Sequence, residues 1–301
     1  FMNISGSEGL VAAGNIFMGM TESPVLIKNY LPTMNRSEIF LVMVSGMGTI
    51  AGSVMGTYIG MLGGTDPAAK VLFATHLLSA SVMAVPGSIV LAKMLCPQTE
   101  EATDHVAISG KEKENSNILD AISSGTVTGV KLMTNIAAML LVFISLVALA
   151  NYITEGVIGR YTGLNDWIVK ITDGKAQGLT FQFILGVITS PFMWLIGVPS
   201  QDIMLVCSLL GQKTILNEFV AYFQLQQWKD AGLFMYEKSI LMSTYILCGF
   251  ANISSIGILL GGLGVLAPEK RGLISRIGVP AMIGGALVSV LSATIIGMIL
   301  G

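Results

Sequence analysis

Long apolar stretches alternate with short polar, charged or proline-containing breaks along most of the chain. Five of these stretches, at 39–62, 71–95, 130–152, 239–266 and 280–300, are about as long as a membrane-spanning helix. An α-helix rises about 1.5 Å per residue, so roughly 20 apolar residues cross the hydrocarbon core of a bilayer. The pattern predicts an all-α polytopic membrane protein.

Two further apolar segments, at 9–31 and 202–228, do not fit a plain spanning helix because each has an acid near its middle. The acids are Glu22 and Glu218. Each segment is followed by a long helix interrupted by small and polar residues, and then by an uninterrupted apolar helix. The order of hairpin, broken helix and plain helix therefore occurs twice, which is typical of the inverted repeats of secondary transporters.

This repeated order predicts the organisation of the whole chain. The first repeat covers 1–95, with a re-entrant hairpin at 9–31, a broken helix at 36–62 and a helix at 67–95. A cytoplasmic loop and interfacial segment follow at 96–129, and a scaffold transmembrane helix at 130–163. The second repeat covers 164–301, with a hairpin at 200–228, a broken helix at 238–266 and a helix at 277–300.

The two glutamates are the strongest candidates for functional residues. A charged residue at the centre of a membrane helix costs about 2.5–3.5 kcal/mol on insertion scales, so it is retained where it contacts substrate or ions. Irregular backbone at membrane depth is tolerated only where it lines a cavity or is buried in protein. We therefore expect Glu22 and Glu218 to approach each other near the middle of the membrane.

Composition supports the membrane assignment and excludes other classes. Hydrophobic residues make up 53% of the chain and charged residues 11%, against about 25% charged residues in soluble domains. The net charge is −2 and no basic patch stands out, so nucleic acid is not an expected partner. The three cysteines lie far apart, and no nucleophile or metal-ligand spacing is present. We predict neither an enzyme nor a cofactor or structural metal.

Three motifs resemble signatures of the concentrative nucleoside transporter family. They are GNIFMGMTESPVLI at 14–27, ILNEFVAYFQL at 215–225 and CGFANISSIGI at 248–258, and they correspond to the two hairpins and the second helix break. The resemblance runs in order over essentially all 301 residues. The scaffold helices that precede the first hairpin in the family have no counterpart here, so we expect a C-terminal portion of a longer bacterial member.

The resemblance implies a site for a nucleoside and a site for a coupling ion, both formed by the hairpin tips and the helix breaks. Thr21 and Glu22 would face the nucleobase, while Glu218, Asn252 and Ser255 would bind the ribose. The full implied substrate set is Met20, Thr21, Glu22, Val54, Glu218, Phe250, Asn252 and Ser255. The implied sodium ligands are the side chains of Asn15 and Thr49 and the backbone carbonyls of Met18 and Ile50.

One position departs from the family signature. Where the family usually has glutamine, this chain has Met20, which removes an amide donor and acceptor from the edge that reads the base. The ribose contacts are unaffected by this change, whereas the preference between purine and pyrimidine nucleosides is left open. Lys213, just before the second hairpin tip, has two interpretations: it snorkels toward the membrane surface or pairs with an acid near the site.

The function that follows from the resemblance is cation-coupled uptake of nucleosides by alternating access, driven by sodium. A proton-coupled symporter and a channel are the alternatives. Lysine and arginine are enriched in the loops that this order places on one side, which the positive-inside rule assigns to the cytoplasm. We expect a multi-pass protein of the bacterial plasma membrane, a homotrimer whose partners are the nucleoside and membrane lipid.

Overall fold

The computed structural model describes residues 4–101, 117–172, 174, 176 and 178–301. Within these ranges the chain is helical and contains no strand, which confirms the all-α fold class. The helices are α1 Gly6–Gly14, α2 Arg36–Gly48, α3 Gly52–Gly63, α4 Pro67–Leu95, α5 Ile118–Asn151, α6 Arg160–Thr162, α7 Leu164–Ile171, α8 Phe181–Leu195, α9 Ile203–Ile215, α10 Glu218–Asp230, α11 Glu237–Leu247, α12 Ile253–Leu266 and α13 Arg271–Ile299.

The first hairpin pairs a regular helix with an irregular return arm. Helix α1 starts at a capping box, in which the Ser5 side chain accepts from the Glu8 backbone N–H and Glu8 binds the Ser5 backbone N–H. The return arm contains a 3₁₀ turn, Ser23–Ile27, instead of an α-helix. Pro24 occupies the first turn of this arm and supplies no N–H. The tip between the two arms is therefore irregular backbone.

The broken helix at 36–62 consists of α2 and α3 with residues 49–51 extended between them. The corresponding element of the second half consists of α11 and α12 with residues 248–252 between them. The second hairpin differs from the first, because both of its arms, α9 and α10, are regular helices. Asn217 is the N-cap of α10, and its side chain accepts a hydrogen bond from the Val220 backbone N–H.

Two helix starts differ from the expected boundaries. Helix α5 begins at Ile118, whereas the scaffold helix was expected to begin at 130. The described part of the expected interfacial segment is therefore continuous with the scaffold helix, because no proline interrupts residues 118–151. Helix α13 begins at Arg271, six residues before the expected 277, because the preceding 3₁₀ turn at Pro268–Lys270 sets its start. Residues 102–116 of the predicted cytoplasmic loop lie outside the described residues.

Four helical segments in the described part are long and apolar enough to cross a membrane: Arg36–Gly63, Pro67–Leu95, Leu141–Thr162 and Pro268–Ile299. Their burial differs sharply. The most apolar part of Arg36–Gly63 is 78% buried within the chain, whereas that of Leu141–Thr162 is 6% buried. The broken helix is therefore the centre of the fold, and the scaffold helix presents its apolar surface outward. A π-helical stretch, Tyr152–Gly159, interrupts the latter.

The two broken helices meet at their breaks. The Phe250 backbone N–H donates a hydrogen bond of 3.1 Å to the Thr49 carbonyl. Gly249 lies so close that a Cβ atom there would be 2.9 Å from the Met47 carbonyl oxygen and 2.8 Å from Ser289 Oγ. Only glycine permits this approach of two backbones. The two helix breaks therefore meet in one central region.

The first hairpin is fastened at both ends. Glu8, which is fully buried, forms an ion pair with Lys93 of α4 at 2.6 Å. Lys93 also donates to Ser37 Oγ at the start of α2, at 3.0 Å. At the other end of the hairpin, Lys270 Nζ donates to the Met34 carbonyl at 2.7 Å.

The second hairpin is fastened in the same manner with other residues. Asp202, fully buried before α9, accepts hydrogen bonds from the backbone N–H groups of Met235 and Tyr236 at 3.0 and 3.1 Å. Lys229 near the end of α10 donates to the Leu62 carbonyl near the end of α3. Each hairpin thus has a polar contact at each of its two ends.

Candidate functional site

A cavity of about 380 Å³ lies where the two hairpin tips and the two helix breaks converge. This volume lies within the usual range of small-molecule sites, about 300–1,000 Å³. All eight residues of the implied substrate set line it: Met20, Thr21, Glu22, Val54, Glu218, Phe250, Asn252 and Ser255. Residues that are up to 235 positions apart in the sequence are thus brought together around one space.

Glu218 is held by neutral donors from both broken helices. Tyr58 Oη donates to Glu218 Oε1 at 3.1 Å, and Asn252 Nδ2 donates to Glu218 Oε2 at 3.2 Å. Tyr58 is itself fixed by stacking on Tyr222, with ring centroids 4.2 Å apart. Because Glu218 is the first residue of α10, the positive end of the helix dipole also favours its negative charge. The carboxylate is thereby oriented while retaining lone pairs for further donors.

Asn252 has two roles at the second break. As the N-cap of α12, its side-chain oxygen accepts from the Ser255 backbone N–H at 2.8 Å and from Ser255 Oγ at 3.0 Å. Its amide NH₂ group is therefore the part that faces Glu218. The sequence Asn-Ile-Ser-Ser produces this arrangement because asparagine is a preferred N-cap residue. Helix initiation and cavity lining use the same side chain.

The first hairpin tip contributes the other wall of the cavity. Met20 is 6% exposed, and its Cβ packs so closely on Gly46 of α2 that a side chain on Gly46 would collide with it. Thr21 is half-buried and Glu22 is exposed to the cavity. Ile144 of α5 also lines the cavity, so the scaffold helix borders it. This wall thus combines the apolar side chains of Met20 and Ile144 with the polar groups of Thr21 and Glu22.

Next to this wall, Asn15 is fully buried at the end of α1. Its Nδ2 group donates to Ser45 Oγ at 3.0 Å, while its Oδ1 atom has no hydrogen-bond partner among the described residues. Thr49 Oγ1 donates to the Ser45 carbonyl at 3.0 Å, which leaves the hydroxyl oxygen able to accept. A buried amide oxygen without a partner is costly unless a ligand satisfies it.

The remaining implied ion ligands are carried by adjacent backbone. The Gly52 N–H donates to the Phe17 carbonyl at 2.8 Å, which joins the hairpin tip at 17–18 to the break at 49–52. Met18 and Ile50, whose carbonyls are the implied ligands, flank this bond in the two segments. Neutral oxygen donors suit a hard cation such as Na+. The donor set, with its unpartnered Asn15 oxygen, therefore fits a monovalent cation.

Sequence reasoning missed several residues that line the cavity or support the carboxylate there, and Tyr58, Asn217 and Ile144 show why. Tyr58 lies four positions after Val54 and so on the same face of α3, a signal that the sequence did offer. Asn217 precedes Glu218 and lines the cavity. The sequence did not indicate this position, because an asparagine there is explained by its role as the N-cap of α10. Ile144 belongs to an unbroken apolar run, and nothing in that run distinguishes it from its neighbours.

The chain is similar to known proteins in both sequence and structure. The family model described as "Na+ dependent nucleoside transporter C-terminus" matches residues 76–297. An uncharacterized transporter of Haemophilus influenzae is 39% identical over 303 aligned residues, which cover 100% of this chain and 67% of that protein. Sodium/nucleoside cotransporter 1 of Rattus norvegicus is 39% identical over 99% of this chain and 45% of its own length.

Solved structures of the protein CNTnw match over nearly the whole chain. A structure in an outward-facing state gives a TM-score of 0.80 at 35% identity, covering 98% of this chain and 65% of CNTnw. A structure in an inward-facing substrate-bound state gives a TM-score of 0.73 at 36% identity and covers 99% of this chain and 66% of CNTnw. The chain spans about two thirds of these proteins and less than half of the rat cotransporter. It belongs to the family of Na+ dependent nucleoside transporters, which are transporters and not enzymes.

Proposed function

We propose that this protein takes up nucleosides by sodium symport, with the nucleoside in the central cavity. The observation that supports this most is the convergence of all eight implied substrate residues on that cavity. The rat relatives are named sodium/nucleoside cotransporters 1 and 2, and the CNTnw structures include an outward-facing and an inward-facing substrate-bound state. Alternating access between such states is the transport mechanism that we propose here.

The second hairpin tip and second break would bind the sugar. A ribose offers two adjacent hydroxyl groups, and a carboxylate can accept from both at once. Glu218 is oriented for this by Tyr58 and Asn252, and the Ser255 hydroxyl lies beside Asn252. Charge-assisted hydrogen bonds of this kind are each worth about 1.5–3 kcal/mol.

At the opposite wall, Thr21 and Glu22 would contact the base, with Val54 and Phe250 packing against it. Met20 offers no hydrogen bond to the base edge, and a flexible thioether packs against many flat surfaces. We therefore propose that this transporter distinguishes nucleosides by size and stacking more than by edge hydrogen bonds.

Sodium would bind between the first hairpin tip and the first break, at Asn15, Met18, Thr49 and Ile50. The ion would join the same tip that carries Thr21 and Glu22, which gives sodium and nucleoside a physical route to strengthen each other's binding. Such linkage is reciprocal, so each ligand must raise the affinity of the other by the same factor. We place the protein in the bacterial plasma membrane as a homotrimer.

Uptake by purified protein in liposomes tests this proposal. We expect accumulation of a radiolabelled nucleoside against its gradient when Na+ is higher outside, and no accumulation when choline replaces Na+. Protein-free liposomes are the control for leakage, and Glu218→Gln liposomes should accumulate less nucleoside at the same concentration. Accumulation that follows an imposed pH gradient and ignores Na+ would identify a proton symporter, and equilibration without accumulation would identify a channel.

A further inference from the structure

We propose that the ammonium group of Lys213 is a built-in cation at the second helix break, in the position that corresponds to the proposed sodium site at the first break. This inference rests on the proposed sodium symport and extends it to the number of ions that accompany each nucleoside. Its physical origin is the internal repeat of the fold combined with one difference between the two halves.

At both breaks, the C-terminal end of a helix brings partial negative charge into the protein interior. Helices α2 and α11 both end inside the protein, where their last carbonyl groups have no partner in the helix. The C-terminal end of a helix carries about half a negative charge, which favours a nearby cation. In membrane proteins with broken helices, such ends commonly bind the coupling ion. Each half of this protein should therefore need a cation at its break.

In the first half, the hairpin arm offers an oxygen to such a cation. Asn15 lies seven positions before the tip residue Glu22 and is fully buried, and its Oδ1 atom has no hydrogen-bond partner in the part of the chain that the structure describes. Its other amide atom is anchored to Ser45, near the end of α2. The arrangement is a set of acceptors that needs an external positive charge.

The hairpin arm of the second half supplies the positive charge itself. Lys213 lies five positions before the tip residue Glu218, and its side chain is fully buried. Its Nζ atom donates to the Ile246 carbonyl, in the last turn of α11, at 2.7 Å and to Ser289 Oγ at 3.1 Å. The interpretation that Lys213 snorkels to the membrane surface is therefore wrong.

The contact extends to the break itself. Ser289 Oγ, which accepts from Lys213, lies 3.0 Å from the carbonyl oxygen of Cys248, the first residue after α11, and donates to it. The ammonium group thus joins a hairpin arm to a helix end, as the sodium ion would do in the first half.

A built-in cation fixes the stoichiometry of transport. The charge of Lys213 moves with the protein in both directions of the cycle, so it contributes no net charge per turnover. We therefore expect wild-type uptake to have a sodium Hill coefficient of about one and about one charge moved per nucleoside.

Lys213→Met tests the proposal because methionine keeps the unbranched shape and removes the charge. With the second break lacking its cation, we expect a second Na+ to be required. The Hill coefficient should rise toward about two, and the charge moved per nucleoside should approximately double. The matched control is Lys229→Met, which removes another lysine of the same hairpin that donates to a helix-end carbonyl, near the end of α3 and away from both helix breaks. Its sodium dependence should stay that of wild type.

Melting temperatures decide the question if Lys213→Met does not transport. They are measured in detergent while NaCl replaces choline chloride at constant ionic strength. We expect Lys213→Met to be stabilised by Na+ more than wild type and over a steeper concentration range. Three results would overturn the proposal: two charges per nucleoside in wild type, unchanged sodium dependence in an active Lys213→Met, or an inactive variant whose melting temperature no alkali cation restores. If wild type ignores Na+, the proposed symport is wrong, and the melting experiment still decides the role of Lys213.

Discussion

The backbone N–H of Phe250 donates to the carbonyl of Thr49, so the two helix breaks are hydrogen-bonded to each other at 3.1 Å. Phe250 lines the proposed nucleoside cavity, and Thr49 carries an oxygen of the proposed sodium site. One hydrogen bond therefore separates the two sites. A ligand that fixes either break also fixes the backbone of the other, which is the structural basis for the couplings predicted below.

We expect Glu218→Gln to weaken nucleoside binding by about 10- to 100-fold, because charge-assisted hydrogen bonds to the ribose become neutral ones. Tyr58→Phe should have a smaller effect of the same sign, since it removes one donor that orients the carboxylate. Calorimetric titration of the purified variants at saturating Na+ measures both. Unchanged affinity in Glu218→Gln would contradict the ribose assignment.

Asn15→Ala and Thr49→Ala should each raise the Na+ concentration for half-maximal uptake without changing the ranking of nucleosides. Each removes one oxygen from a site that has few, and neither side chain lines the nucleoside cavity. Because the coupling is reciprocal, the apparent nucleoside affinity at sub-saturating Na+ should also fall and should recover at saturating Na+. A changed nucleoside ranking with unaltered Na+ dependence would place these residues in the substrate site instead.

Substitution Met20→Gln should shift the preference among nucleosides and leave the dependence on ribose hydroxyls intact. A site that offers an amide discriminates against bases that leave it unpaired. Met20 is 6% exposed and lines the cavity, so the substitution would introduce an amide at the cavity wall. Competition by a panel of nucleosides and their 2′- and 3′-deoxy forms compares the two proteins. An identical ranking would show that position 20 does not contact the base.

Gly249→Ala should destabilise the protein by about 1–3 kcal/mol, the usual cost of overpacking a tight contact. The added Cβ would be 2.9 Å from the Met47 carbonyl oxygen, which belongs to backbone and cannot easily move. Gly60→Ala is the control: Gly60 lies in α3, and no heavy atom of the described residues would be within 4 Å of the added Cβ. Melting temperatures in detergent should fall for the first variant and hold or rise for the second.

Glu8→Gln should also lower the melting temperature, because it leaves the Lys93 ammonium without its buried partner. Breaking such a pair costs about 3–5 kcal/mol, and the partial exposure of Lys93 favours the lower end. In the double variant Glu8→Gln, Lys93→Met, the loss should be smaller than the sum of the two single losses. Additive losses would show that the two residues act independently.

The sequence predicted the all-helical membrane fold, since hydropathy and helix length are local properties. It did not predict Tyr58 as a partner of Glu218, because that contact joins positions 160 apart and depends on how α3 packs against α10. The sequence left two interpretations of the Lys213 side chain open for a similar reason. The sequence does not show that Lys213 donates to the carbonyl of residue 246. Every residue has a carbonyl, and only the fold brings this one, in the last turn of α11, to the buried ammonium group. The π-helical stretch in the scaffold helix had no signal that we recognised.

The contacts at the ends of the hairpins restrict how the cavity can open. A hairpin acting as a flap would swing about its base, and this motion would separate Glu8 from Lys93 or Asp202 from the backbone N–H groups it binds. Each separation would strand a buried charge. We therefore expect hairpins and broken helices to move together as one rigid body. The motion then takes place where this body packs against the scaffold helix α5, and substitutions there, away from Ile144, should alter turnover without altering affinity.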